Sequence, residues 1–196
     1  MTTTTRILAL AGSLRAASYN RQLLNTAITA TPDNVELLAW DALKLVPPFD
    51  EDDEERPGAV VQDLRDAIAH AHALLVVTPE YNGSIPGQLK NAVDWASRPR
   101  EHTVLRDKVC AVIGASPSPG GARTAQADAR RILARAGAHV LDDELSLARA
   151  HHGFDADGSL TDAQLQEDLG AVVAALAHAG SLRYLPQAGE PQPVPA

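Results

Sequence analysis

One cysteine, Cys110, stands in the whole chain, so no internal disulfide can staple it. It lies inside the apolar run 109–113, which predicts a small buried core residue rather than a reactive thiol. No apolar stretch approaches the roughly 20 residues that a membrane-spanning helix needs. The opening Met1-Thr2-Thr3-Thr4-Thr5-Arg6 lacks the charged start and apolar middle of a secretory leader. These absences predict a cytoplasmic protein with no membrane partner. Positive charge is also short: 17 Lys and Arg against 25 Asp and Glu give a formal net charge of −8. The arginines are scattered along the chain, so the massed cations that a nucleic-acid backbone demands are missing, and nucleic acid is excluded as a partner.

Several motifs are missing too, and each omission removes a class. There is no Gly-x-Gly-x-x-Gly for a dinucleotide pyrophosphate and no Gly-Lys-Ser/Thr ending for a magnesium-bound triphosphate. No Gly-x-Ser-x-Gly elbow supplies a hydrolase nucleophile, since Ser116 sits in Ala115-Ser116-Pro117. Metal ligation is not expected. His151 and His152 are adjacent, and in a strand they point to opposite faces; His70 and His72 do not share a helix face. The run Asp50-Glu51-Asp52-Asp53-Glu54-Glu55 reads as a solvated loop, because successive carboxylates on a flexible segment lack fixed geometry.

What the 196 residues do contain is a β-α alternation, with enough chain for one domain and a substantial core. Strand patterns cover 7–11, 35–40, 73–78, 108–115 and 139–147. Helical spacing carries Leu23, Leu24, Ala27 and Ile28, then 58–71, a stretch from about Ile85 through Trp95, 121–136 and 162–179, the last capped by Thr161. The domain is expected over 1–184, with a disordered tail rich in Pro, Gln and Gly over 185–196. Alternating elements predict a doubly wound α/β fold, a parallel sheet with helices on both faces. Ligands in such sheets bind beyond the carboxyl ends of the strands, where strand order reverses.

Three polar loops fall at strand ends. The first, Gly12-Ser13-Leu14-Arg15 continuing to Ser18 and Asn20, joins a strand to a helix start, where backbone N–H groups and the helix dipole favour an anion. Its hydroxyls suit a single monoester phosphate. Arg15 is unfavourable beside a helix N-terminus unless an anion is present. In the second loop, Pro79-Glu80-Tyr81-Asn82-Gly83-Ser84-Ile85-Pro86-Gly87, two glycines and two prolines fix the path. Asn82-Gly83 predicts a tight turn and Ser84 a cap for the next helix. Beside Tyr81, its exposed peptide groups suit a flat heteroaromatic ring. A third loop, 114–123, carries Ser116 and the pair Gly120-Gly121 and can line the ring's other edge, or serve as an ordinary connector.

With Leu89-Lys90-Asn91-Ala92-Val93-Asp94-Trp95, these motifs in order resemble the NADPH-dependent FMN reductase family over residues 6–137. The resemblance implies a flavodoxin-like five-stranded sheet of order 2-1-3-4-5. It implies FMN as cofactor, NADPH or NADH as hydride donor, and a small acceptor: a quinone, free flavin, azo compound or metal oxyanion. Ser13, Arg15, Ser18 and Asn20 would hold the FMN phosphate. Pro79, Glu80, Tyr81, Asn82, Gly83 and Ser84 would follow the ring, with Ser116 at its other edge. No catalytic side chain is implied, since hydride passes to flavin N5. A homodimer or homotetramer is implied, with the helix carrying Asn91 and Trp95 a candidate contact surface. The other reading left open is a flavodoxin-like electron carrier without nicotinamide turnover.

Overall fold

Two of the five strands are apolar from end to end and a third is apolar after its first two residues, and such strands need cover on both faces. β1 (Thr5–Ala11), β3 (Ala73–Val77) and β4 (Val109–Ala115) accordingly fill the centre of the sheet in this computed structural model, which describes residues 4–184. β2 (Val35–Ala39) and β5 (His139–Leu147) take the edges. All neighbours pair in parallel, in the expected order β2-β1-β3-β4-β5. The tail expected to be disordered, 185–196, lies outside the described residues.

Because strand side chains alternate faces, each central strand feeds two cores. Ile7, Ala9 and Ala11 pack with Leu23 and Leu24 of α1 (Tyr19–Thr29) and Leu169 and Val173 of α5 (Ala163–Arg183). Leu8 and Leu10 pack with Leu64 and Ile68 of α2 (Ala59–His70) and Leu89 of α3 (Gly87–Ala96). Ala129 and Leu133 of α4 (Arg123–Arg135) complete that second layer. Gly180 lets α5 close on the sheet, since a Cβ there would lie 2.9 Å from the Ala73 Cβ. The chain leaves β1 for β2 on one side and returns to β3 on the other. That reversal opens the carboxyl edge between β1 and β3.

Helix boundaries differ from the sequence expectation where local chemistry intervenes. α5 is capped by Asp162, whose carboxylate accepts from the N–H groups of Gln164 (2.9 Å) and Leu165 (3.3 Å), and not by Thr161. The Thr161 hydroxyl instead donates to the His152 carbonyl at 3.2 Å. α3 starts at Gly87, because Pro86, with ψ 139°, still holds extended backbone and Ile85 precedes a proline. α4 starts at Arg123, because Gly121 and Ala122 both have positive φ (60° and 63°). His151 and His152 occupy a 3-10 turn, Ala150–His152, and not a strand; their rings are tilted together with centroids 4.1 Å apart.

Cys110 is buried as expected, and burial pushes its thiol up to about 12. Lys108 was not anticipated. Its ammonium donates to the Ala71 and Ala69 carbonyls at the end of α2, and burial lowers its pKa from 10.5 to about 8. The fold thus disfavours the charged form that the unfolded chain keeps up to 10.5. The resulting penalty is full below about pH 8 and disappears as pH rises toward 10.5. The unfolding free energy of the wild type minus that of Lys108→Met is therefore expected to grow by about 2 kcal/mol between pH 8 and 10. Urea titrations at both pH values measure it, and a flat difference would show that Lys108 is not desolvated.

Candidate functional site

The hydrogen-bond ladder runs one step past the strand ends and delivers three loops side by side. Gly12 N–H donates to the Val77 carbonyl (2.8 Å), Thr78 N–H to Ile113 (2.9 Å) and Ser116 N–H to Leu147 (3.0 Å). Close approach then locks the loops together. A Cβ on Gly12 would meet Leu89 Cδ2 at 2.8 Å, and one on Gly114 would meet the Thr78 carbonyl oxygen at 2.6 Å. At Gly114 the obstacle is backbone and leaves no room for a side chain; at Gly12 the buried Leu89 side chain would have to shift.

The loop after β1 presents donors. The N–H groups of Ser13, Leu14, Arg15, Ala16 and Ala17 donate to no described residue, and they precede the N-terminus of α1. Ser18 caps that helix by accepting from Arg21 N–H at 3.2 Å, and its hydroxyl proton has no acceptor among the described residues. Arg21 is neutralised by Asp41 at 2.5 Å. Arg15 has no carboxylate among the described residues; its guanidinium carbon lies 5.6 Å from the Tyr19 ring centroid. Ser13 is half-buried and makes no hydrogen bond with a described residue. Asn20 faces inward. Its amide oxygen accepts from Ala115 N–H and its amide nitrogen donates to the Ala115 carbonyl, both at 2.9 Å, so it ties the first loop to the end of β4.

The loop after β3 is a two-residue hairpin. Tyr81 and Ser84 exchange backbone hydrogen bonds (2.9 and 3.1 Å) around Asn82 and Gly83, whose φ values are 53° and 76°. That is the turn Asn-Gly favours. Pro79 is buried at its base. Two of the polar side chains of this loop, those of Glu80 and Ser84, turn to α4. Glu80 accepts from Ala125 N–H at 3.3 Å, supplying the cap that Ala122 cannot. Ser84 donates to Asp128 and does not cap α3. Asp128 also accepts from Arg131, and these two bonds hold its carboxyl below the usual range. Leu14 and Tyr81 remain 47% and 51% exposed, so the rim is an open, partly apolar platform.

Ser116 is nearly buried, its hydroxyl shared with Ser118 Oγ (3.0 Å) and Ser118 N–H (3.2 Å). No local pattern marks Asp128 or Gln126, which act at the site through partners distant in the chain. The Gln126 amide nitrogen joins the Gly121 carbonyl (3.2 Å) to Ser146 Oγ (2.8 Å) and so fastens the third loop to β5. Asn91 and Trp95, expected on a contact surface, are spent within the chain. Asn91 accepts from Phe49 N–H and donates to the Pro47 carbonyl, both at 2.7 Å, and Trp95 Nε1 donates to the same carbonyl at 2.8 Å. The acidic run is not wholly solvated either, because Glu54 is half-buried and pairs with Arg98 at 3.1 Å.

Residues 5–152 match the family model described as NADPH-dependent FMN reductase. An NAD(P)H:quinone oxidoreductase of Solanum tuberosum is 38% identical, covering 87% of this chain and 90% of that protein. An NAD(P)H-dependent FMN reductase of Pseudomonas aeruginosa is 39% identical over 83% of this chain and 88% of its own length. Among solved structures, the flavoenzyme NAD(P)H:(acceptor) oxidoreductase FerB of Paracoccus denitrificans superimposes with a TM-score of 0.83 at 31% identity, covering 93% of this chain and all of that one.

Replacing Asn82-Gly83 by Ala-Ala puts a Cβ into left-handed backbone at Gly83 and removes at position 82 the asparagine that tolerates it, at a cost of about 2 kcal/mol to the hairpin. FMN affinity, read by fluorescence titration, is expected to fall while the far-UV circular dichroism is retained. Unchanged affinity would place the ring elsewhere.

Proposed function

We propose a division of labour among the three loops of this chain, which belongs to the NADPH-dependent FMN reductase family. The protein is an NAD(P)H-dependent oxidoreductase with FMN as its cofactor. The donor set at the start of α1 fits that cofactor's single phosphate. Five N–H groups and an Arg15 guanidinium that have no acceptor or carboxylate among the described residues lie with the Ser18 hydroxyl along one short loop, and it is this concentration of donors that carries the assignment. FMN, when bound, supplies the hydride-accepting ring that links NADPH or NADH to an acceptor.

In this reading Ser13, Arg15 and Ser18 hold the phosphate, and Asn20 acts one step back by fixing their loop to Ala115. Pro79, Tyr81, Asn82 and Gly83 form the ring platform. Glu80 and Ser84 keep that platform against α4, and Ser116 shapes the far edge through its turn with Ser118. No side chain is required to move a proton at the ring. The half-exposed Leu14 and Tyr81 leave the platform open to a small flat acceptor, for which a quinone is the first choice. Free flavin, an azo compound and a metal oxyanion make the same demand for an open face. The protein acts in the cytoplasm as a homodimer or homotetramer.

Purified protein supplied with FMN and NADPH is expected to consume NADPH when benzoquinone is added; no consumption with any quinone or flavin acceptor overturns the reading. Arg15→Ala is expected to weaken FMN by about tenfold, the order of one charge-assisted hydrogen bond, and riboflavin hardly at all. Equal loss for both ligands would remove Arg15 from the phosphate site.

A further inference from the structure

The chain has three lysines, and the fold gives each a different setting. Lys44 is exposed, and Lys90 is held by Asp94 at 2.6 Å. Lys108 stands immediately before β4, half-buried, and lines a pocket of about 290 Å3 at the amino edge of the sheet. That edge is opposite the three loops. A cation at the end of α2 caps the helix, so an ammonium there has a structural use. Capping accounts for Lys108 but not for its company. Arg106, Arg183 and His102 line the same pocket, and Asp107 is the one carboxylate among the lining residues. Neither arginine forms an ion pair among the described residues, and Arg106 donates to the Arg100 carbonyl at 2.9 Å. The helix dipole explains Arg183 at the end of α5; it does not explain Arg106.

The amine itself is arranged as a nucleophile. A neutral amine has two N–H groups, and two acceptors face Nζ: the Ala71 carbonyl and, at 3.4 Å, the Ala69 carbonyl. The remaining tetrahedral position carries the lone pair. Burial favours this neutral form by lowering the pKa to about 8; the Cys110 thiol behind it opposes the shift but is itself kept protonated. His70, on the last turn of α2, bonds the Asp66 carbonyl at 2.7 Å. The Tyr184 ring, stacked on His72 with centroids 4.0 Å apart, lies 5.9 Å from Nζ and forms another wall of the pocket.

We propose that Lys108 is a site of acylation and that its pocket takes a small acyl phosphate, with Arg106 and Arg183 receiving the phosphoryl group. The Lys108 nitrogen attacks the acyl carbon. A C–N bond forms and the bond from that carbon to the phosphate oxygen breaks. Phosphate leaves with the electron pair, and the amine proton passes to water, so no oxidant or reductant takes part. The resulting amide keeps one N–H for the Ala71 carbonyl and gives up a charge that burial disfavours. This goes beyond the reductase reading and is independent of it, because the ring platform lies at the other edge of the sheet.

The test incubates the FMN-loaded protein with acetyl phosphate between about pH 7 and pH 10 and reads acetylation of each lysine by peptide mass spectrometry. At about pH 8 Lys108 is expected to react about tenfold faster than Lys44, with a rate that levels off above about 8. A Lys108 no faster than Lys44 overturns the proposal. Acetic anhydride, an acyl donor without phosphate, separates the pocket from the amine. Arg106→Gln with Arg183→Gln should slow acetyl phosphate at Lys108 about tenfold, the order of one charge-assisted hydrogen bond, and leave the anhydride rate unchanged. In the wild type, inorganic phosphate should compete with acetyl phosphate alone, which tests the pocket without a variant. If both donors respond alike to phosphate, no phosphoryl site exists there and the proposal falls.

Discussion

A strand with no polar face can make chemistry only where it stops. β1, β3 and β4 are covered on both sides, and their backbone groups are used up by their neighbours until the sheet ends. Beyond that line the chain must turn, and its N–H groups are released together at one edge. The polar loops follow from this constraint. Without two-sided burial the first loop would not be held one hydrogen bond from Val77, nor the second one from Ile113.

Polar side chains at that edge do two different jobs. Asn20, Glu80, Ser84 and Gln126 are consumed in ties between loops, each bonded to a residue of another element. Ser13, Arg15 and the proton of Ser18 are left over among the described residues. A donor already satisfied inside the protein adds rigidity, and one left unsatisfied adds affinity for whatever arrives. The edge contains both kinds, and the first kind holds the second in place.

Much of this was legible in the sequence. Apolar runs gave the central strands, and the last strand fell on its predicted residues, His139–Leu147. The positive φ values at Asn82 and Gly83 follow from residue type. The direction of a side chain does not. Asn20 meets Ala115 across 95 positions, and Glu80 meets Ala125 across 45, so no local pattern could reveal that their polar atoms are committed inward. Helix starts failed for a smaller reason: at 161–162 and at 84–86 several adjacent residues can cap, and tertiary packing chooses among them. The same blindness hid the Lys108 pocket, whose lining runs from position 69 to position 184.

The cap that Glu80 places on α4 has a consequence for traffic at the site. Helix start and hairpin are fastened to each other, at Ala125 and again at Asp128, so moving the hairpin would undo the first turn of the helix. Among the described residues the rim is therefore a fixed sill. Whatever binds there meets a rim whose shape is set by the first turn of α4.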